Sequence, residues 1–197
     1  NLDQLKVHRV TFSEDCVEQL SHKNLFTLCD DFDIEFVWRP LGGWTGRSPP
    51  ERAKHKLPIA RQDVARWCKR MNIPMNPPPI TTDPTQVAAA SFYAEQEGKL
   101  KEYIIETMKL EWSEGVDIGQ TDAIETIAQL VGLDKTSLVA AADSADNLEK
   151  LNASAQDAEK MNVIGVPTLV IEDQIFWGND RLDFVREELE ARGVAKS

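Results

Sequence analysis

Residues 164–189 read IGVPTLVIEDQIFWGNDRLDFVREEL, and this stretch decides the fold. Two short runs rich in β-branched and aromatic residues, Val166 to Ile171 and Gln174 to Trp177, flank the pair Glu172-Asp173, which predicts a tight hairpin. From Asp180 to Arg192 the apolar residues recur at the spacing of an amphipathic helix. The chain therefore closes with the order β-β-α.

The beginning of the chain predicts a complementary order. Leu5 to Phe12 alternates apolar and polar residues, as a half-buried strand does. Helical spacing follows from Asp15 to Asp31, and Asp33 to Arg39 returns to the alternation of a strand, which we expect to stop at Pro40. This opening is β-α-β.

The middle of the chain is predicted to be helical. Leu41 to Ser48 is a Gly-rich loop, and Pro49-Pro50 then begins a helix that we expect Pro58 to break or kink. Ile73 to Pro84 holds five of the ten prolines and predicts an extended connector. From Thr85 to Met161 the pattern indicates four or five helices, separated by Gly and Asp turns.

Neither end of the chain can bury its sheet alone, so the simplest assembly joins both ends in one four-stranded sheet. This is an α/β fold of the thioredoxin-like plan with an all-helical insertion. The predicted domains are 1–45 with 162–197 for the thioredoxin-like part, and 46–161 for the insertion.

Composition excludes several classes of function. The 197 residues contain no apolar run near the roughly 18 residues that cross a bilayer. A net charge of -11 opposes binding to nucleic acid. The three cysteines form no C-x-x-C pair and, with three histidines, give no zinc spacing, so we expect no metal. A small, odd number of cysteines is typical of a protein from a reducing compartment, so we expect the cytoplasm or an organelle matrix.

Two local motifs carry chemical information. In Gly165-Val166-Pro167-Thr168 a proline opens a strand, a position that often has a cis bond and exposes the Val166 backbone to an extended peptide. A strand-initiating proline of any α/β protein is the plainer interpretation. In Phe176 to Leu182, Asn179 and Asp180 cap the last helix or hold the charged groups of a ligand.

The closing stretch resembles the C-terminal signature of a branch of the DsbA-like thioredoxin-fold superfamily. The branch contains the 2-hydroxychromene-2-carboxylate isomerases and the kappa-class glutathione transferases. Further segments fall in the order of that family; they are Val37 to Gly43, Pro49-Pro50, Lys56, Asp63 to Trp67, Asn72 to Pro74, Glu111-Trp112 and Gly132 to Asp134.

The resemblance implies a glutathione site and, often, a homodimer. Val166 would supply backbone contacts beside a cis Pro167, and Asn179 and Asp180 would hold the γ-glutamyl end. Lys56 would bring positive charge to the active site. The loop residues that would shape the pocket of a small-molecule substrate are Trp44 and Arg47.

The first turn departs from the family pattern. Family members have a Ser-Pro turn at the start of helix one, whereas this chain reads Phe12-Ser13-Glu14-Asp15-Cys16. Counting back from Trp38 without gaps places the usual Ser-Pro near Asp15-Cys16, whereas a small shift makes Ser13 the hydroxyl for the glutathione thiolate. Ser13 and Asp15 are alternatively N-caps of the helix. A helix N-terminus favours a Cys16 thiolate, but the neighbouring carboxylates oppose it.

Three hypotheses follow. The first is a glutathione-dependent isomerase or transferase acting on an aromatic-derived electrophile, with Ser13 and Lys56 at the reaction centre. The second is a thiol oxidoreductase or peroxidase that uses Cys16 alone. The third, favoured by the acidic turn, is a binding protein that has kept the fold without catalysis.

Overall fold

The computed structural model describes residues 10–12, 25–42, 50–79 and 81–196. Within these ranges one sheet has the strand order β2-β1-β3-β4. β1 pairs with β2 in parallel and with β3 antiparallel, and β3 pairs antiparallel with β4. The fold is thioredoxin-like, as predicted, and its strands are β1 (Val10–Phe12), β2 (Trp38–Pro40), β3 (Thr168–Ile171) and β4 (Gln174–Trp177).

The helices follow the predicted order. Five of them lie between residues 85 and 160, and a π-helical turn, Lys109–Ser113, continues the second of these five. In chain order, the helices of the described ranges are α1 (residues 25–31), α2 (Pro50–Met71), α3 (Thr85–Gln96), α4 (Leu100–Met108), α5 (Thr121–Val131), α6 (Lys135–Ala142), α7 (Ala145–Lys160) and α8 (Leu182–Ala191).

One proline differs from the prediction, and another agrees with it. Pro58 lies within α2 and does not end it. Pro58 is exposed, and water can replace a backbone hydrogen bond lost on the outer side of a helix. Pro40 is the last residue of β2, which stops there as predicted, and it pairs with Phe12. A proline fits there because β2 is an edge strand and needs no donor on its open side.

One face of the sheet is covered by α1 and α8. Their apolar residues recur every three or four positions, so each helix presents one buried stripe to the strands. Two residues of α4 complete this core and tie the insertion to it. The cluster includes Leu25, Phe26, Leu28, Ile104, Met108, Leu169, Ile171, Leu182, Val185 and Leu189.

Helices α7 and α3 both contact β2. Leu41, Ala158 and Val163 form a small buried cluster against which Val166 packs. The end of α7 therefore lies beside the turn that opens β3. On α3, the Ser91 Oγ accepts a buried hydrogen bond of 2.6 Å from the Trp38 Nε1, which links the insertion to β2.

The insertion also has an apolar core of its own, built mainly from α3, α4, α5 and α6. Tyr103 is fully buried in it and donates a hydrogen bond from its hydroxyl to the Val87 carbonyl at 2.7 Å. None of the helices in the described ranges is both long enough and apolar enough to cross a membrane.

Candidate functional site

The turn before β3 presents its backbone. The Val166-Pro167 peptide bond is cis, as the resemblance implies. The Thr168 hydroxyl donates to the Gly165 carbonyl at 2.6 Å and closes the turn. Neither the N–H nor the C=O of Val166 forms a hydrogen bond with another described residue. Within the described part of the chain, one donor and one acceptor are therefore left for an extended peptide.

Gly165 has a steric role in this turn. A Cβ at this position would lie 2.7 Å from the Trp177 Nε1, closer than side-chain packing allows. The indole of Trp177 therefore rests against the bare backbone of Gly165, while 47% of Trp177 stays exposed. The end of β4 and the turn before β3 are in direct contact.

Gly178 joins the two sequence motifs. Its N–H donates to the Pro167 carbonyl at 2.9 Å. Its φ of 103° belongs to a region that side-chain-bearing residues rarely adopt. A Cβ there would also lie 2.6 Å from the Asp180 Oδ1. The charged turn after β4 is thus fixed directly beside the cis-proline.

Asn179 and Asp180 do not cap α8. They belong to a short 3-10 turn, Asn179–Arg181, and no side-chain hydrogen bond caps either this turn or α8. The Asp180 Oδ2 instead accepts a hydrogen bond from the Arg181 Nη1 at 2.8 Å. The capping interpretation of these residues was wrong, because α8 begins only at Leu182, beyond their reach as caps.

The structure brings together four of the predicted site residues. Val166, Pro167, Asn179 and Asp180 lie around the Gly178 hydrogen bond. Ser13, Cys16, Trp44 and Arg47 lie outside the described residues. For Lys56 the backbone is part of α2, but its side chain is also outside them. The roles predicted for all nine residues stay predictions.

The two described cysteines are poor thiolates. Burial raises the pKa of the Cys29 thiol, and Asp30 raises it further, whereas Lys101 and Lys196 lower it. Burial also raises the pKa of the Cys68 thiol. Both thiols are therefore less ionised at neutral pH than a free cysteine. Among the described residues no group of His, Cys, Asp and Glu is arranged to hold a metal ion.

Sequence reasoning assigned no role to Arg181 or Trp177, although both lie within the quoted motif. The adjacent opposite charges of Asp180 and Arg181 were the available signal for Arg181. Glu111 appeared only in the family resemblance, yet it is 3% exposed and lies on the π-helical turn. Such turns frequently occur at functional sites. Its burial depends on the packing of α4, which helical spacing alone does not reveal.

A sheet of this order, with a cis-proline opening β3 and helices between β2 and β3, defines a thioredoxin-fold protein with a helical insertion. The profile of the DSBA-like thioredoxin domain matches residues 15–190, and the chain belongs to this family. The predicted membership of the DsbA-like superfamily is confirmed.

Two curated relatives carry the same name. The chain is 27% identical over 139 residues to a 2-hydroxychromene-2-carboxylate isomerase of Sphingobium xenophagum, with 68% of each protein covered. It is 25% identical over 129 residues to the isomerase of that name from Pseudomonas putida, where 66% of this chain and 63% of the relative are covered. These matches bear out the predicted resemblance to the isomerases.

Solved structures show the same fold. A 2-hydroxychromene-2-carboxylate isomerase superposes with a TM-score of 0.78 at 21% identity, covering 93% of this chain and 95% of that one. A probable DsbA oxidoreductase from Streptomyces coelicolor gives a TM-score of 0.67 at 13% identity, covering 92% and 86%. At these identities the likeness concerns the fold alone.

Proposed function

We propose that the protein is a glutathione-dependent isomerase acting on an aromatic-derived electrophile, with 2-hydroxychromene-2-carboxylate as the first candidate substrate. The name of the two relatives supports an isomerase. The glutathione part rests on one observation, the hydrogen bond from the Gly178 N–H to the Pro167 carbonyl. This bond holds the backbone of Val166 and the charged turn Asn179–Arg181 next to each other, so that both can contact one ligand.

The residues of this site fit a γ-glutamyl peptide. Val166 offers an N–H and a C=O to an extended backbone, in the manner of strand addition. Asn179 and Asp180 do not cap α8, and the bond of Asp180 to Arg181 is an exposed ion pair that a charged ligand group can replace. Val166 would contact one part of the elongated ligand, and Asn179 and Asp180 would contact another.

Glutathione supplies a thiol that adds reversibly to an electrophilic carbon of the substrate and leaves unchanged, which permits isomerisation about a double bond. The chain's own residues bind and orient glutathione and the substrate. In the proposal, the Ser13 hydroxyl stabilises the thiolate at the start of the first helix, and Lys56 adds positive charge. Trp44 and Arg47 shape the substrate pocket. A homodimer and the kappa-class transferase reaction stay predictions of the same resemblance.

Calorimetry with glutathione tests the binding step. We expect saturable heat at millimolar ligand for the protein, and binding weaker by about tenfold for Asp180→Asn, since one charge-assisted contact is lost. Asp173→Asn is the matched control, because Asp173 lies at the far end of β4, in the hairpin loop. Absence of heat with the unaltered protein would refute the proposal.

The reaction itself is tested by the absorbance change of 2-hydroxychromene-2-carboxylate with and without glutathione. Turnover only with glutathione, and its loss in Ser13→Ala with glutathione affinity retained, supports the proposed roles. Turnover that is indifferent to glutathione contradicts the cofactor assignment. Saturable glutathione binding without turnover of this or related substrates favours the binding protein instead.

The DSBA-like family membership favours a second candidate, a thiol oxidoreductase. Since burial disfavours the thiolates of Cys29 and Cys68, this candidate depends on Cys16. Alkylation by iodoacetamide at neutral pH should then show one fast thiol, which Cys16→Ser removes and Cys68→Ser does not. Equal slow labelling of all three thiols rules this candidate out.

A further inference from the structure

The two edges of the described sheet differ in composition. At one edge, β2 contains Arg39 and ends at Pro40, and charged residues and prolines are the types that hinder an edge strand from pairing with another chain. At the other edge, β4 reads QIFW and has neither a charge nor a proline. Its sequence is therefore suited to pairing with a further strand.

The register of the hairpin shows which backbone groups of β4 point outward. The Gly178 N–H bonds to the Pro167 carbonyl, so these two residues form a hydrogen-bonded pair. Such pairs alternate with non-hydrogen-bonded ones in an antiparallel ladder, which makes Thr168 with Trp177 a non-hydrogen-bonded pair. Ile175 is in the same position two residues earlier. The N–H and C=O groups of Ile175 and Trp177 therefore point away from β3, and within the described ranges no backbone hydrogen bond from outside the hairpin reaches them.

An apolar surface borders this open edge. Ile175 and Trp177 are two residues apart, so their side chains lie on the same face of the sheet. They are 48% and 47% exposed. Ile164 is also exposed and precedes Gly165, on which the Trp177 indole rests. A strand that pairs with β4 and carries apolar side chains on this face would bury all three.

The charge of the chain selects the kind of partner. Asp173 is exposed just before β4, and among the described residues its carboxylate accepts a hydrogen bond only from its neighbour Gln174, at 3.4 Å. The net charge of -11 opposes the pairing of two identical edges and favours a basic partner. We propose that the edge of β4 binds an extended segment of another protein, which is apolar at alternate positions and has a lysine or arginine near Asp173.

An antiparallel arrangement defines the sequence pattern of this segment. The segment residues opposite Trp177 and Ile175 exchange backbone hydrogen bonds with them and carry the apolar side chains. The residue between these two has its side chain on the other face and its N–H turned away from β4. A basic residue two positions after the second apolar one then lies opposite Asp173. The pattern is apolar, polar, apolar, polar, basic.

Hydrogen exchange followed by NMR tests the pairing directly. The probe is the acetylated and amidated peptide Val-Thr-Val-Thr-Lys. In the protein alone the amides of Ile175 and Trp177 should exchange quickly, whereas that of Phe176, which faces β3, should exchange slowly. Saturating peptide should slow exchange at Ile175 and Trp177 by about tenfold or more. No saturable change at millimolar peptide overturns the proposal.

Modified peptides separate strand pairing from a general apolar contact. N-methylation of both valines removes the donors that face β4 and should abolish binding. N-methylation of the threonine between them is the matched control, because its N–H faces away, and should leave the affinity within about twofold. Equal losses from the two modifications would show binding without strand pairing and overturn the proposal.

Variants of the protein assign the contacts. Ile175→Pro removes an outward N–H, a change that an edge strand tolerates, and should abolish peptide binding, whereas Ile175→Val should bind within about threefold of the unaltered protein. Slow exchange of the Phe176 amide in both variants verifies that the hairpin is retained. Asp173→Asn should weaken binding by about threefold at low salt and less at high salt. An unchanged affinity of Asp173→Asn at low salt overturns the preference for a basic residue.

The same exchange measurement distinguishes the other occupant. If the amides of Ile175 and Trp177 become protected in the protein alone as its concentration rises, a second copy of the chain occupies the edge, and the proposal of a basic partner is overturned. Rapid exchange at these two amides over the same range of protein concentration supports a partner of different chemistry.

Discussion

The N–H of Gly178 donates a hydrogen bond of 2.9 Å to the carbonyl of Pro167. Through this bond the turn after β4 and the turn before β3 form one surface, although each was a separate motif in the sequence. The bond extends the β3–β4 hairpin past its last side-chain pair, Thr168 with Trp177. A change at Gly178 should therefore affect ligand binding as well as stability.

Gly178→Ala should reduce both properties. The added Cβ meets the Asp180 Oδ1 at 2.6 Å and forces a φ of 103° on a residue that disfavours it. We expect a loss of about 1–3 kcal/mol in the free energy of unfolding and weaker glutathione binding. Gly98→Ala is the control, because Gly98 also has positive φ but open space around it. Urea unfolding and calorimetry should show destabilisation by Gly98→Ala without any change in affinity; an equal affinity loss would contradict the prediction.

The hydrogen bond between Trp38 and Ser91 should stabilise the packing of the insertion on β2. Ser91→Ala removes the acceptor of a buried indole N–H, and we expect a cost of about 1–3 kcal/mol in urea unfolding. In Trp38→Phe the further Ser91→Ala change should cost less, which a double-mutant cycle measures. Thr126→Ala, which removes an exposed hydroxyl bonded to the Asp122 carbonyl, should stay within about 0.5 kcal/mol. Additive effects of the first two changes would argue against the coupling.

Asp83 should make the stability of α3 depend on pH. Hydrogen bonds from the Thr85 hydroxyl and N–H lower the pKa of the Asp83 carboxyl in the folded state. Its stabilising contribution is therefore complete above its ordinary pKa, about 4, and is lost as pH falls through the lower folded value. The difference in unfolding free energy between the unaltered protein and Asp83→Ala should be larger at neutral pH than near pH 3. A difference that is constant over this range would refute the assignment.

The reactivity of Cys29 should respond in opposite directions to changes at two of its charged neighbours, Asp30 and Lys101. Asp30 raises the pKa of this thiol and Lys101 lowers it, after the larger effect of burial. In a background of Cys16→Ser and Cys68→Ser, Asp30→Asn should speed alkylation by roughly twofold and Lys101→Gln should slow it similarly, because the thiolate is the reactive form. Rates are measured with iodoacetamide at slightly alkaline pH. A shift of both variants in the same direction would indicate altered access to the thiol instead.

Much of the fold followed from local patterns. The hairpin around Glu172-Asp173 and the stripe of α8 depend on spacings of two and of three to four residues, which neighbouring side chains reveal. The ends of elements were less accurate. Strand β2 was expected from Asp33 and is described from Trp38, where it pairs with the described residues of β1, 10–12. Pro58 was expected to break or kink its helix, and the break is wrong because α2 runs through it.

In the candidate site, too, some features follow from the sequence and others only from the tertiary structure. The sequence by itself determined the α/β order, the proline that opens β3 and the charged turn after β4, because these follow from local spacing and backbone restriction. Only the tertiary structure decided that the Gly178 N–H bonds to the Pro167 carbonyl. It also decided that Trp38 meets Ser91, 53 residues away. Such contacts depend on how the sheet and helices pack around shared cores, and no local spacing encodes that packing.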